Sequence, residues 1–166
     1  AAVLAFIAAG YGNYLAIMPQ RIFSQIDVFT FLSMPLFILA GELMTRGGVT
    51  RALIDLAMLM VGRLKGGLGY VNISASVFLA GVSGSAVADA AATTRTLVPA
   101  MVDRGYRTDF AAALTAASCV IGPIIPPSIV MIFYGALMNV SVAAMFAGGI
   151  VPGLLMALFL FGYNFW

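Results

Sequence analysis

Two short stretches hold the residues of this chain that could do chemistry. The first is Gly81-Val82-Ser83-Gly84-Ser85-Ala86-Val87-Ala88-Asp89, which is small, polar and flexible. The second is Gly122-Pro123-Ile124-Ile125-Pro126-Pro127-Ser128, inside an apolar span. Its prolines remove backbone N–H donors and clash with the preceding turn, so no helix runs through it. A helix broken at membrane depth leaves backbone groups without partners, at a cost on the order of several kcal/mol each in lipid. Such a break persists only where it is buried in protein or lines a hydrated site. Carbonyls exposed at a half-helix C-terminus, joined by serine hydroxyls, suit a small hard cation such as Na+. Half-helix N-termini, with spare N–H groups, suit a carboxylate. Together the two stretches have the layout of an ion-coupled anion site. The alternative is packing alone, with Gly and Ser only letting helices approach closely.

Asp89 and Arg95 are the ionisable groups near the first stretch. Charge inside a membrane segment is functional by default, because burying it is expensive. Their spacing does not imply a direct helical pair. Arg95 either binds an anionic substrate or reaches a polar crevice. Glu42, near a helix end, snorkels or pairs with Arg46. An enzymatic reading comes from Gly81-Val82-Ser83-Gly84, which matches the Gly-x-Ser-Gly sequence of rhomboid intramembrane serine proteases. Their serine needs a histidine base, and this chain has no histidine. The commonest metal ligand is missing for the same reason. Cys119 is the sole cysteine, so an intrachain disulfide is excluded.

The elements that position these residues belong to an integral membrane protein. Hydrophobic residues make up 63% of the chain and charged residues 8%, against about 25% charged in soluble domains. The net charge of +2 and the absence of a basic patch point away from nucleic acid. Residues 1–17 read as the end of a membrane helix and 18–27 as a loop. Residues 28–45 form an apolar helix with Pro35 inside, ended by Gly47-Gly48. Thr50 caps the next helix, 50–64, whose Arg51, Asp55 and Arg63 oppose an apolar side, as in a helix lying in the membrane interface.

The apolar stretch from Gly66 to Val102 is too long for one crossing. Arg63 and Lys65 precede it, and Arg104 and Arg107 follow it. Basic loops prefer the cytoplasm, so both ends belong on one side. Each arm of about 16 residues reaches about 24 Å, short of the roughly 30 Å hydrocarbon core. A re-entrant helical hairpin fits; two complete crossings are the alternative. Thr108-Asp109 caps a helix from Phe110 to Ile121, and a half-helix from Ile129 to Asn139 follows the proline break. Residues 141–153 form a short irregular or helical linker with Gly148-Gly149 and Pro152-Gly153, and a last helix starts near Leu154. The chain opens on Ala1 without an initiator methionine and stops at Trp166 in an apolar run, so it reads as a fragment of a longer protein.

Several stretches carry a family resemblance: 34–44 (Met-Pro-Leu-Phe-Ile-Leu-Ala-Gly-Glu-Leu-Met), Gly66-Gly67-Leu68, Phe78 through Ala92, Val98-Pro99-Ala100-Met101, Arg104-Gly105-Tyr106, 122–129 and 146–153. In register along nearly the whole chain, they resemble the N-terminal part of the large membrane subunit of tripartite ATP-independent periplasmic (TRAP) transporters. The resemblance implies a Na+-driven symporter of the bacterial inner membrane, multi-pass, importing a small organic anion such as a C4-dicarboxylate, 2-oxo acid or sugar acid. It implies a periplasmic substrate-binding protein and a small membrane subunit as partners, besides membrane lipid, and no cofactor other than Na+ as coupling ion. It also implies an elevator, in which a transport domain with two hairpins moves against a scaffold.

The implied fold is all-α: transmembrane helices, an interfacial amphipathic helix, a re-entrant hairpin (68–102) and a broken helix (108–139), together half of an inverted repeat. Residues 1–65 are scaffold and arm, 66–140 half of the transport domain, and 141–166 a linker and following helix. Carried over by resemblance, Na+ is held by Ser83, Gly84 and Ser85 at the tip and by Gly122, Ile125 and Pro127 at the break. Substrate lies near Asp89, Thr93, Thr94 and Ser128. The chain departs from the family pattern at Thr93-Thr94-Arg95-Thr96, where a small-residue turn is usual, which marks Arg95 for substrate choice. An ion channel or another re-entrant-hairpin carrier is the runner-up, ahead of a membrane scaffold and an intramembrane protease.

Overall fold

The computed structural model describes residues 29–166, together with Ile17, Pro19, Gln20 and Phe23. The segments expected over 1–17 and 18–27 therefore lie outside its continuous part. Residues 29–166 form seven helices and no strand.

Helix α1, Phe29–Arg46, holds Pro35 inside and ends where the Gly47 N–H bonds the Leu43 carbonyl at 2.8 Å. Helix α2, Val49–Val61, begins one residue before Thr50. Thr50 is thus not its cap. Gly48 takes that position with φ 84, a left-handed conformation open to glycine that turns the chain sharply between two helices. Helix α2 buries Ile54 and Ala57 against Val71, Ala75 and Leu97. Leu59 and Met60 on its far side are exposed. It ends at Val61, three residues before the expected end, with Gly62 in the cap position.

Helices α3, Gly67–Ser83, and α4, Ala86–Val102, form a hairpin joined by Gly84 and Ser85 alone. Each arm has 17 residues, or about 25 Å at the α-helical rise. Residues 67–76 of α3 are all buried, because α3 is the central post. It packs on α1, α2, α4 and on helices α5 (Thr108–Cys119) and α7 (Val142–Phe165). Leu68, Ile73, Met101, Ala111, Leu114 and Ile121 share one apolar core with Ala157 of α7. Tyr70 stacks on Phe161 at 5.6 Å between ring centres.

Helix α5 starts at Thr108, so Thr108 is its first residue and Arg107 occupies the cap position. Asp109 accepts from its neighbour's Phe110 N–H at 2.9 Å and pairs with Arg107 at 2.6 Å. The helix stops at Cys119, two residues short of the expected Ile121. Turns and bends fill 120–127. Helix α6, Ile129–Met138, then starts afresh behind Ser128, whose Oγ accepts from the Met131 N–H at 3.2 Å. The interruption expected from the prolines is therefore present.

Of the irregular and helical alternatives left open for residues 141–153, the structure shows the helical one, continuous with the last helix. Residues 142–165 form one helix, α7, with Pro152 inside, and Ser141 Oγ accepts from the Ala144 N–H at its start. Gly149 and Gly153 are contact residues within it. A Cβ at Gly149 would collide with the Ile124 carbonyl oxygen, and one at Gly153 with the Ile125 side chain. Glycine here lets α7 lie directly on the broken segment. Among the described residues, α7 is the one helix long and apolar enough to cross a membrane by itself.

Candidate functional site at the hairpin tip

The hairpin tip and the proline break meet. Gly84 has φ 58. The Pro127 carbonyl oxygen occupies the space in which a side chain at Gly84 would stand. Glycine serves two needs at once: a left-handed turn between antiparallel helices, and closest approach to the opposite backbone. Ser85 caps α4 through its Oγ, which accepts from the Ala88 N–H at 3.4 Å. Helix α1 reaches the tip at Gly41, where a Cβ would lie 3.4 Å from the Val82 carbonyl oxygen.

Asp89 lies just beneath the tip and is 2% exposed. The Ser83 hydroxyl donates to its Oδ1 at 2.6 Å, and the Ser83 Oγ in turn accepts from the Ser85 N–H at 3.2 Å. The other carboxylate oxygen, Oδ2, is buried and has no hydrogen-bond partner. It faces Gly122, where a Cβ would stand 2.7 Å away. The first glycine of the break thus makes room for the carboxylate. A buried carboxylate with an unpaired oxygen, beside a loop of interrupted helix, suits a bound cation better than an apolar packing seam does.

The remaining expected residues divide by helix face. Thr93 is fully buried one turn below Asp89. Its hydroxyl donates to the Asp89 carbonyl at 2.7 Å and lies 3.5 Å from Cys119 Sγ. Ser128 is fully buried at the far end of the break. Thr94 and Arg95 are exposed on the other side of α4. Arg95 nevertheless lines a cleft of about 290 Å³ that also reaches Ser83, Asp89 and Glu42. Ile125 is half-buried and turns its side chain toward α7 at Gly153. Glu42 pairs with Arg46 at 2.7 Å, one of the two arrangements expected for it.

The sequence reading missed a buried polar column below the site. Asn72 donates to Thr115 Oγ1 at 2.6 Å between α3 and α5, and both are buried. Ser76 and Ser118 are buried one turn nearer the tip, and the Ser118 hydroxyl lacks a partner. The signal was available. Asn72 and Ser76 are four residues apart, and Thr115 and Ser118 three apart, so each pair stripes one face of an otherwise apolar helix.

Comparison with known proteins gives the family. The family described as "Tripartite ATP-independent periplasmic transporter, DctM component" matches residues 1–166. The chain belongs to that family. It is 43% identical over 152 residues to the sialic acid TRAP transporter large permease protein SiaM of Vibrio cholerae, covering 92% of this chain and 36% of that protein. It is 45% identical over 140 residues to the 2,3-diketo-L-gulonate TRAP transporter large permease protein YiaN of Escherichia coli, covering 84% and 33%. It is 42% identical over 147 residues to the C4-dicarboxylate TRAP transporter large permease protein DctM of V. cholerae, covering 88% and 32%. The chain thus spans about a third of the length of these relatives. These relatives are named as transporter permease proteins, not as enzymes. Ser83 serves a neighbouring carboxylate as hydrogen-bond donor.

Proposed function

We propose that this chain forms the first half of the moving part of a Na+-coupled symporter, together with scaffold helices that carry it. The observation behind this reading is the apposition of Gly84 and Pro127, tip against break, directly above a buried carboxylate with one free oxygen. Backbone carbonyls that leave a helix early, a serine hydroxyl and a carboxylate are the ligand types a hard monovalent cation takes.

In this reading Ser83, Gly84 and Ser85 from the tip and Gly122, Ile125 and Pro127 from the break surround Na+. Ile125 would contribute only backbone, because its side chain packs toward α7. Substrate, a small organic anion, sits close by and meets Asp89, Thr94 and Arg95 from the cleft side. Thr93 and Ser128, both buried, hold the walls in place. Na+ bound at the tip would neutralise Asp89 and allow an anion to settle beside it, which couples the two binding events. The hairpin enters the bilayer and returns, since its arms of about 25 Å fall short of a roughly 30 Å core.

The unit 66–140 then moves as an elevator against residues 1–65, and 141–166 leads to the following helix. The whole permease lies in the bacterial inner membrane with a small membrane subunit. It receives its substrate from a periplasmic binding protein. The test is uptake by the complete complex in proteoliposomes, supplied with loaded binding protein. The reading requires an inward Na+ gradient for accumulation. Equal accumulation with K+ replacing Na+ would overturn it.

A further inference from the structure

Three helices each bring an arginine to one open cleft of about 610 Å³: Arg46 from α1, Arg51 from α2 and Arg95 from α4. Arg46 is held by Glu42 at 2.7 Å. Arg51 and Arg95 have no ion-pair or hydrogen-bond partner among the described residues. One carboxylate, Asp55, also lines the cleft, but it lies beyond ion-pair distance of both. The hydroxyl residues Thr45, Thr50 and Thr96 complete the polar wall.

Position makes Arg95 hard to explain as an ordinary solvated cation. It stands seven residues from the end of α4 at Val102, about 10 Å along the helix. In a hairpin arm that enters the membrane, a guanidinium at that depth is costly without an anion. The cleft volume lies within the range of small-molecule sites. Thr45, Thr50, Ala92 and Arg95 also line the smaller cleft that reaches Ser83 and Asp89, so the two spaces adjoin.

We propose that the cleft between Arg51 and Arg95 is a second, outer oxyanion site, which takes the carboxylate of a small organic anion before it reaches the tip. The planar guanidinium forks match the paired oxygens of a carboxylate, and a lipid phosphate presents the same pair. The role as an outer substrate site rests on the transport reading above; anion binding itself rests on the membrane entry of the hairpin and on the unpaired arginines of the cleft, not on Na+ coupling. Arg51 on the arm helix and Arg95 on the hairpin belong to different units of the proposed elevator. An anion held between them would bridge scaffold and moving part.

The experiment is calorimetric titration of the full-length permease complex, in phosphatidylcholine nanodiscs and Na+-free choline buffer, with succinate and inorganic phosphate as probes. At least one probe binds without Na+. Arg51→Gln and Arg95→Gln each weaken it about tenfold or more. Arg95→Lys falls between, because charge remains and the fork is lost. Arg63→Gln, a cation outside the cleft, leaves binding unchanged and controls for net charge. Competition by added phosphatidylglycerol supports the site with a lipid phosphate as occupant; no competition supports it with the free carboxylate. Absence of Na+-free binding, or wild-type affinity in both glutamine variants, overturns the proposal. Na+-independent uptake alongside intact anion binding would instead remove the transport reading and leave the oxyanion site standing.

Discussion

The carbonyl oxygen of Pro127 fills the place where a side chain on Gly84 would project. Hairpin tip and broken helix are therefore registered to each other by backbone, with no side chain between them. Gly84→Ala adds a methyl group into that contact and also strains a residue at φ 58. The left-handed conformation alone costs on the order of 1 kcal/mol, and the collision adds to it. The variant complex should melt several degrees lower in detergent and lose Na+-dependent uptake. Wild-type melting and uptake would show that the tip and break are not in contact.

Ser83 donates to Asp89 at 2.6 Å, and Asp89 is buried. Ser83→Ala leaves both carboxylate oxygens without a partner, a loss worth on the order of 1–3 kcal/mol. If Na+ shares that pocket, the variant raises the Na+ concentration for half-maximal uptake about tenfold while maximal uptake changes less. The check is a Na+ titration of uptake at fixed substrate. An unchanged half-saturation point would remove Ser83 from the ion site.

The hairpin and the break were legible in the sequence for physical reasons that local composition carries. Three prolines between Gly122 and Ser128 forbid a helix whatever surrounds them, and Gly84-Ser85 offers the turn and cap that two apolar arms need. Distance within the fold was not legible. Nothing local shows that Gly149 and Gly153 are contact residues until Ile124 and Ile125 are seen pressing on them. For the same reason Thr50 and Thr108 read as caps. Each is a good capping residue, yet Gly48 and Arg107 hold those positions, each one residue before the helix begins. The faces of α4 needed the structure as well. Thr93 and Thr94 are neighbours in sequence, but one is buried beneath Asp89 and the other exposed.

The Asn72–Thr115 hydrogen bond, 2.6 Å long and buried, ties α3 to α5 below the site. Thr115→Val removes the oxygen acceptor and leaves the Asn72 amide only the weak acceptor Met101 Sδ at 3.7 Å, which should cost on the order of 1–3 kcal/mol. Changing both partners, Asn72→Leu with Thr115→Val, replaces the pair with apolar groups and should recover much of the loss. Thermal melting of the three variants and wild type closes the cycle. Additive losses in the double variant would mean that the two side chains do not interact.

Helix α7 depends on the absence of side chains at its contact with the break. A Cβ at Gly149 would meet the Ile124 carbonyl and the end of the Met131 side chain. Met131 can swing aside, but the carbonyl belongs to a backbone fixed by the Ile124 N–H bond to Ile121 at 3.0 Å. Gly149→Ala must therefore push α7 away from the break, at about 1–3 kcal/mol for overpacking. Gly148, one residue earlier, has open space around its own Cβ position, and alanine there gains helix propensity of up to about 1 kcal/mol. Adjacent glycines should thus respond in opposite directions, Gly148→Ala raising the melting temperature of the complex and Gly149→Ala lowering it. Equal responses would show that α7 does not pack on the broken segment through this face.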